Sequence, residues 1–273
     1  MFATNDDGIA GEGLVALARA FAPICEMTIV APEAPRSAVS HAITLHKPLR
    51  VDGRLEFPWP EGSVQGCAAY SCSGSPTDCT MLGVLELMKG RLPHLVVSGI
   101  NDGQNLAEDI TYSGTVAGAM EGAILGIPAI SISFDTQAGR NFATAAEALR
   151  LVIERIFFSA APGIPWPEPD CARIGEVFNG CRFLNMNVPD VPLAELKGVR
   201  VCQTGFRGYK DVVQKMHDPR GRPFFWIAGE RVHEDMREDT DVMAIAQGYA
   251  VITPLMWNMT DHSALGGIAK LFA

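Results

Sequence analysis

The sequence has no C-x-x-C pair, no run of the ~18 apolar residues that a membrane helix needs, and no excess of positive charge. Its seven cysteines are Cys25, Cys67, Cys72, Cys79, Cys171, Cys181 and Cys202, an odd number spaced for neither a zinc site nor a disulfide framework. They read as buried free thiols in a reducing compartment. The N-terminus lacks the basic-then-apolar order of a signal peptide, so a cytoplasmic location with no membrane partner is expected. Against 31 Asp+Glu stand only 22 Lys+Arg, a net charge of −9, which speaks against a nucleic-acid polymer as partner. A small phosphorylated ligand stays open, because a metal can supply positive charge locally.

Three chemical signatures are missing as well. No G-x-x-x-x-G-K-[ST] supports an ATP-binding loop, and no G-x-G-x-x-G follows a strand to mark a dinucleotide site. No G-x-S-x-G offers a nucleophile elbow. Hydrophobic residues make up 48% of the 273 and charged residues 19%, enough apolar material for a packed globular core and too much for a disordered chain.

The first half alternates short apolar runs with helical patterns. Met1 to Thr4, Met27 to Ala31, Leu95 to Ser98 and Pro128 to Phe134 read as buried strands. Between and after them, helices are expected over Gly13 to Phe21, Thr80 to Met88, Gly114 to Leu125 and Ala143 to Phe158. Leu14, Leu17, Ala18 and Phe21 share one face of the first. This alternation predicts an α/β fold, a doubly wound, mostly parallel sheet with helices on both faces. Pro162 to Pro169 holds four prolines and reads as a loop or insertion. Strands are expected again at Phe183 to Val188 and at Tyr249 to Thr253, ending at Pro254, with a closing helix over Ser263 to Phe272. After Gly198, β-like runs at Val199 to Thr204 and Phe224 to Ile227 flank the turn Asp218-Pro219-Arg220-Gly221. They suggest a C-terminal β-hairpin and helical extension used for oligomerisation. A single domain over 1–273 is expected, with 1–198 as core and 199–273 as arm and closing elements. Trp226 and Trp257 read equally as interface anchors or core.

Four segments carry polar chemistry at strand ends. Asp6 and Asp7, flanked by Asn5 and Gly8, follow the first strand. In an open parallel sheet, ligands bind beyond the carboxyl ends of the strands. Two adjacent carboxylates there suit a hard divalent cation, provided the chain turns at Gly8 so that both converge. The same residues would serve as a simple helix cap. The segment Ala31 to Thr44 brings Arg36, Ser37, Ser40 and His41 to a second strand end. Val97 to Asn105 passes abruptly from strand to a Gly/Asn loop, and the Asn101 amide oxygen can ligate a hard metal. Tyr112 to Val116 opens the small-residue helix, where free backbone N–H groups and hydroxyls make either an anion site or an N-cap.

The order of these segments is more specific than any one of them. T-N-D-D-G-I, A-P-x-x-x-R-S before H-x-I-T, G-S-P-T-D-C, V-S-G-I-N-x-G-x-N and Y-S-G-T-V-A-G-A-x-E-G succeed one another here. L-N-M-N-V-P, D-P-R-G-R and G-Y-A-V-I-T-P-L follow. Together they closely resemble the SurE family, the stationary-phase survival protein nucleotidases, over nearly the whole chain. The resemblance implies a metal-dependent phosphatase acting on nucleoside monophosphates, on a Rossmann-like core, a 5′-nucleotidase with 3′-phosphates also open. It implies one divalent cation, Mg²⁺ or Mn²⁺, held by Asp6, Asp7, Ser37 and Asn101. It also implies a phosphate pocket drawing on Asn105, Ser113, Gly114 and Thr115, and a homodimer or homotetramer with exchanged C-terminal segments. The sequence departs from the family pattern in a short first strand, in Ser37-Ala38 for the common Ser-Gly, in Ser75 within G-S-P-T-D, and in Asp239-Thr240-Asp241.

On this reading Asp6 and Asp7 are the catalytic carboxylates, one of them serving as base on a water or as direct nucleophile. The Ser113 hydroxyl and nearby backbone donors would stabilise the phosphoryl oxygens. His41 would orient its loop. A non-catalytic nucleotide- or anion-binding regulator on the same fold is the alternative. A glycosyltransferase with an acidic metal motif is a third reading, but no sugar-nucleotide signal accompanies the motif.

Overall fold

The computed structural model describes residues 1–53, 55–135, 141–179 and 182–272, without the side chains of 211–212 and 228–231. The chain begins β1 (Phe2–Thr4), α1 (Glu12–Phe21), β2 (Thr28–Pro32), β3 (Ala68–Cys72), α2 (Pro76–Leu82) and β4 (Val96–Asp102). It continues α3 (Gly114–Ile124), β5 (Ala129–Asp135), α4 (Phe142–Phe157), α5 (Cys171–Val177), β6 (Arg182–Pro189) and β7 (Val199–Val201). It ends with β8 (Arg207–His217), β9 (Pro223–Glu234), α6 (Asp241–Ala246), β10 (Ala250–Met256) and α7 (His262–Ala269).

Eight strands form one sheet in the order β3-β2-β1-β4-β5-β6-β10-β7, and β8 and β9 pair separately as an antiparallel hairpin. Every pairing in the large sheet is parallel except β10 against β6. The strand order reverses between β1 and β4, the topological switch point at which such sheets open a crevice beyond their carboxyl ends.

The two-residue strand period explains the double winding. Phe2, Val30 and Val96 pack on one face with Val116, Ala119 and Ala123 of α3. Their neighbours Ala3, Ile29 and Val97 pack on the other, with Leu14, Leu17 and Phe21 of α1 and Leu149 and Ile153 of α4. α3 comes close to the sheet because it is nearly all small residues. A Cβ on Gly122 would lie 2.8 Å from Val96 Cβ, and one on Gly118 2.7 Å from Ser98 Oγ.

Several expectations need adjusting. The second helix starts at Pro76, not Thr80, because Ser75 and Asp78 form a reciprocal capping box ahead of it, and it ends in a wider π-turn at Gly83–Leu87. β10 does not stop at Pro254 but pairs it with Leu184. The proline is tolerated because β7 reaches only to Ile252, which leaves that side of the strand open. β7 is shorter than the run to Thr204. Cys171 is exposed rather than buried; Cys25 and Cys67 are half-buried, and Cys72, Cys79 and Cys202 are buried. All six are free, and Cys181 lies outside the described residues. Trp226 and Trp257 are exposed, on the hairpin and just beyond β10. Among the described residues, no helix is long and apolar enough to cross a membrane.

Candidate functional site

The ends of β1, β2 and β4 and the start of α3 meet at the switch point. The Asn5-Asp6-Asp7-Gly8 turn leaves β1 and rests on the end of β2. Gly8 has φ +91°, with its position 3.2 Å from the Pro32 carbonyl for any Cβ, and Ile9 N–H donates to that same carbonyl at 2.8 Å. Only glycine fits there, and the turn it makes carries two carboxylates out of the strand together.

Asp6 is clamped by Thr115. The Thr115 N–H donates to Oδ2 at 3.1 Å, and the Thr115 hydroxyl donates to Oδ1. Gly114 makes room for the carboxylate, since a Cβ there would sit 3.0 Å from Asp6 Oδ2. The carboxylate thus lies at the N-terminus of α3, where the helix dipole favours negative charge. Burial nevertheless pushes its pKa up to about 6; the Thr115 hydroxyl opposes that rise and the Asp7 charge adds to it. Asp7 is half-buried. Its Oδ2 accepts the Asp102 N–H at 3.2 Å. Burial raises its pKa too, and the Asp102 carboxylate adds to the rise.

Asn101 reaches the site through a break in β4. The β4–β5 register shifts between Ser98 and Asn101, and Gly99 stands there at φ +137°. A Cβ on Gly99 would fall 2.2 Å from the Ile132 carbonyl oxygen, so glycine is obligatory. The Asn101 amide nitrogen donates to the Gly103 carbonyl at 2.7 Å, which commits the nitrogen and leaves the oxygen to ligate. Ser37 sits on the exposed loop after β2, tied to the site by its neighbour, since Arg36 N–H donates to the Asp6 carbonyl at 2.7 Å.

That loop is strapped down along its length. Ser40 Oγ donates to the Thr111 carbonyl at 2.8 Å, and His41 pairs with buried Glu121 at 2.9 Å. Thr44 donates twice to Asp78, from N–H at 2.9 Å and from Oγ1 at 2.7 Å, while Ser75 Oγ donates to the Ala42 carbonyl at 2.6 Å. His41 thus ties the loop to α3. The G-S-P-T-D segment both caps α2 and anchors the loop that carries Ser37.

Of the residues expected to contact phosphate, Ser113, Thr115 and Asn105 each have partners within the chain. Ser113 is the N-cap of α3, its Oγ accepting from Val116 N–H at 3.1 Å. Thr115 spends both of its donors on Asp6. Asn105 is buried next to β5 and β6: its Nδ2 donates to Ser133 Oγ at 2.7 Å, and its N–H donates to Asn187 Oδ1 at 2.9 Å. Its carbonyl accepts from the Asn185 and Asn187 amides, each at 2.9 Å. Two further buried residues were not legible as site supports. Asp241, fully buried, accepts N–H bonds from Ala107, Gly205 and Val242, joining the loop after β4 to the segment before the hairpin. Arg207 is 4% exposed and reaches the Gln104 side chain and Asp109. Arg207 lies 98 to 103 residues and Asp241 134 residues from the partners they hold in the loop after β4, separations that no local pattern spans.

The donor chemistry fits a hard cation. Neither Asp6 nor Asp7 has a basic ion-pair partner among the described residues, and their charges crowd with that of Asp102. The buried Asn5 Oδ1 beside them accepts no hydrogen bond among the described residues. No cluster of three or more His, Cys, Asp or Glu side chains has metal-holding geometry among the described residues. A cation here would rest on two carboxylates and on neutral hydroxyl and amide oxygens, a set suited to Mg²⁺ or Mn²⁺ rather than zinc.

Residues 1–211 match the family model described as survival protein SurE. The 5′-nucleotidase SurE of Heliobacterium modesticaldum is 40% identical, over 99% of this chain and 93% of the relative. That of Synechococcus sp. strain JA-3-3Ab is 38% identical, over 98% and 95%. The crystal structure of the SurE protein from Aquifex aeolicus superposes with a TM-score of 0.77 at 35% identity, covering 100% of this chain and 99% of that one.

Proposed function

Because the chain belongs to the SurE family, we propose that it is a 5′-nucleotidase that releases phosphate from nucleoside monophosphates with the help of one divalent cation, Mg²⁺ or Mn²⁺. The observation that carries this reading is the pair Asp6 and Asp7: two adjacent carboxylates, partly stripped of solvent, without a basic partner among the described residues, at the switch point of the sheet. Asp6, Asp7, Ser37 and Asn101 would hold the cation. When bound, such an ion polarises a phosphoryl oxygen and lowers the pKa of a water.

The protein's own groups do the rest. Thr115 fixes both oxygens of Asp6, so this carboxylate keeps its place. The Asp102 amide occupies Asp7 Oδ2, and Oδ1 is the oxygen left to take a proton from an attacking water. The α3 N-terminus adds a positive dipole end toward phosphate charge. The straps on the Arg36–Thr44 loop fix the segment that carries Ser37, so little further entropy would be lost if Ser37 bound the cation. Ser113 contributes by capping α3. Asn105 contributes by setting the loop that follows Asn101.

The same fold family makes a homo-oligomer the expected state. The β8–β9 hairpin exposes Phe225, Trp226 and Ile227, and the C-terminal segment exposes Leu271 and Phe272. Monomeric proteins rarely leave so much apolar area in contact with water.

The test is phosphate release from AMP and 3′-AMP with added Mg²⁺ or Mn²⁺ and with EDTA. Metal-dependent release from AMP, lost in Asp7→Asn, is the expected result. Full activity in EDTA refutes the metal role, and binding without turnover establishes the regulator alternative.

A further inference from the structure

The β8–β9 hairpin is fastened at its root to the loop that follows β4. Arg207, the first residue of β8, pairs with Glu234, the last of β9, and is 4% exposed. Its backbone N–H donates to Glu108 Oε2 at 2.8 Å. One terminal guanidinium nitrogen donates to Asp109 Oδ2 at 3.2 Å, and the other donates to the Gln104 side chain. The Tyr209 hydroxyl donates to the same Asp109 oxygen at 3.0 Å. We propose that Arg207 is a positioning residue for the cation site, through which the hairpin and the site stabilise one another. The proposal rests on the reading of Asp6, Asp7, Ser37 and Asn101 as cation ligands and adds to it the residue that holds their loops from outside.

Short paths lead from Arg207 to the proposed ligands. One runs through Gln104. The preceding residue, Gly103, accepts the Asn101 side-chain amide at 2.7 Å on its carbonyl, and its N–H donates to the Phe134 carbonyl at 3.0 Å. The following residue, Asn105, is held on both its N–H and its carbonyl. The other path runs through Asp109, whose carbonyl accepts Tyr112 N–H at 3.1 Å. The Tyr112 carbonyl in turn accepts the N–H of Ser40, on the loop that carries Ser37, at 3.0 Å. The chain then enters α3, where Thr115 grips Asp6. The stretch from Asn101 to Thr115 therefore begins at one proposed ligand, straps the loop of a second and clamps a third, and Arg207 grips it at both Gln104 and Asp109.

A buried charge makes this grip stiff. The Arg207 guanidinium is offset by Asp109 at 3.2 Å and by Glu234 at 3.6 Å, and its planar fork fixes where its partners stand. Moving the loop away would leave the guanidinium buried without Asp109, which is strongly unfavourable. Fully buried Leu106 and the bond from Ala107 N–H to Asp241 at 3.0 Å hold the middle of the loop. Loss of Arg207 should therefore loosen the flanking positions, which lead to the ligands, rather than unfold the loop. The dependence runs both ways. A two-stranded hairpin is marginally stable by itself in water, so the order of β8 and β9 depends on what holds their root. A cation that fixes Asn101 and Ser37 fixes the loop, the loop then holds the root, and linkage makes the two effects equal.

The experiment measures Mn²⁺ affinity by paramagnetic resonance in the EDTA-stripped wild type, Arg207→Met and the control Arg200→Ala, with melting curves to verify folding. Groups that support metal ligands from behind set the expected scale: Arg207→Met should bind Mn²⁺ about tenfold more weakly. Arg200 joins other parts of the C-terminal half, donating to Gln247 at 2.7 Å and lying over the Tyr249 ring, so its loss should leave the affinity unchanged. In the wild type, Mn²⁺ should slow amide deuterium exchange over residues 205–210, a response that a merely structural Arg207 would not give. Wild-type affinity in folded Arg207→Met, an equal loss in Arg200→Ala, or wild-type exchange at 205–210 indifferent to Mn²⁺ overturns the proposal while leaving the cation site standing. A wild type that takes up no Mn²⁺ overturns the cation reading and the positioning role with it.

Discussion

Replacing Asp6 by asparagine should stabilise the metal-stripped protein at alkaline pH. Burial holds the Asp6 carboxyl at about 6, against an ordinary 3.8. A carboxyl that binds its proton more tightly in the fold than in the unfolded chain favours folding at low pH. That contribution is complete below about pH 4 and is lost as the pH rises through about 6. At pH 8 the ionised Asp6 therefore opposes folding by the whole interval, about two pH units, or about 3 kcal/mol at ~1.4 kcal/mol per unit. Asparagine carries no charge to desolvate and can keep both contacts, its oxygen accepting the Thr115 N–H and its nitrogen donating to the Thr115 hydroxyl. Urea unfolding in EDTA should show Asp6→Asn more stable than wild type by about 2–3 kcal/mol at pH 8, with most of that difference gone at pH 4.5. Added Mg²⁺ or Mn²⁺ should reverse the order, because only the wild type gains binding energy. A variant less stable than wild type in EDTA at pH 8, or a difference that ignores pH, would refute the account of Asp6 as a site held at the expense of stability.

Three further outcomes follow from the geometry. Ala38 stands at φ +54°, in the left-handed region that disfavours a side chain, so Ala38→Gly should raise stability by roughly 0.5–1 kcal/mol in thermal unfolding. Asp241→Ala leaves the Ala107, Gly205 and Val242 N–H groups without their acceptor, and urea unfolding should record a loss of about 3–5 kcal/mol. Asp78→Ala removes the α2 capping box and both Thr44 bonds, which should cost about 1–2 kcal/mol and lower kcat/KM for AMP more than tenfold. Unchanged turnover in that variant would show that the strap does not hold the site.

Much of this architecture is legible in the residues, and what is not has physical causes. The α1 face Leu14, Leu17, Ala18 and Phe21 and the buried runs of β2, β4, β5 and β6 follow from periodicity alone, because both faces of a parallel sheet are covered. β3, Ala68–Cys72, has none of the β-branched character that marks a strand, and its parallel pairing with β2 makes it one. α5 has no buried residue and so no apolar stripe to read. At the site, the carboxylates and Asn101 stand out as polar groups at strand ends. Local signals could also frame Ser113 as a helix cap, and it is one. What no local pattern carries is the grip of Thr115 on Asp6, 109 residues away, or of Arg207 on the loop at Gln104. These contacts exist only once the sheet has brought the strand ends together.

The central claim is that Asp6, Asp7, Ser37 and Asn101 form one cation site. Titration of EDTA-stripped protein with Mn²⁺, read by the loss of the free-ion paramagnetic resonance signal, tests it without reference to any substrate. The account predicts saturable uptake of one ion per chain, abolished in Asp7→Asn and weakened in Asn101→Ala. No uptake by the folded wild type, or uptake untouched by both substitutions, would contradict it.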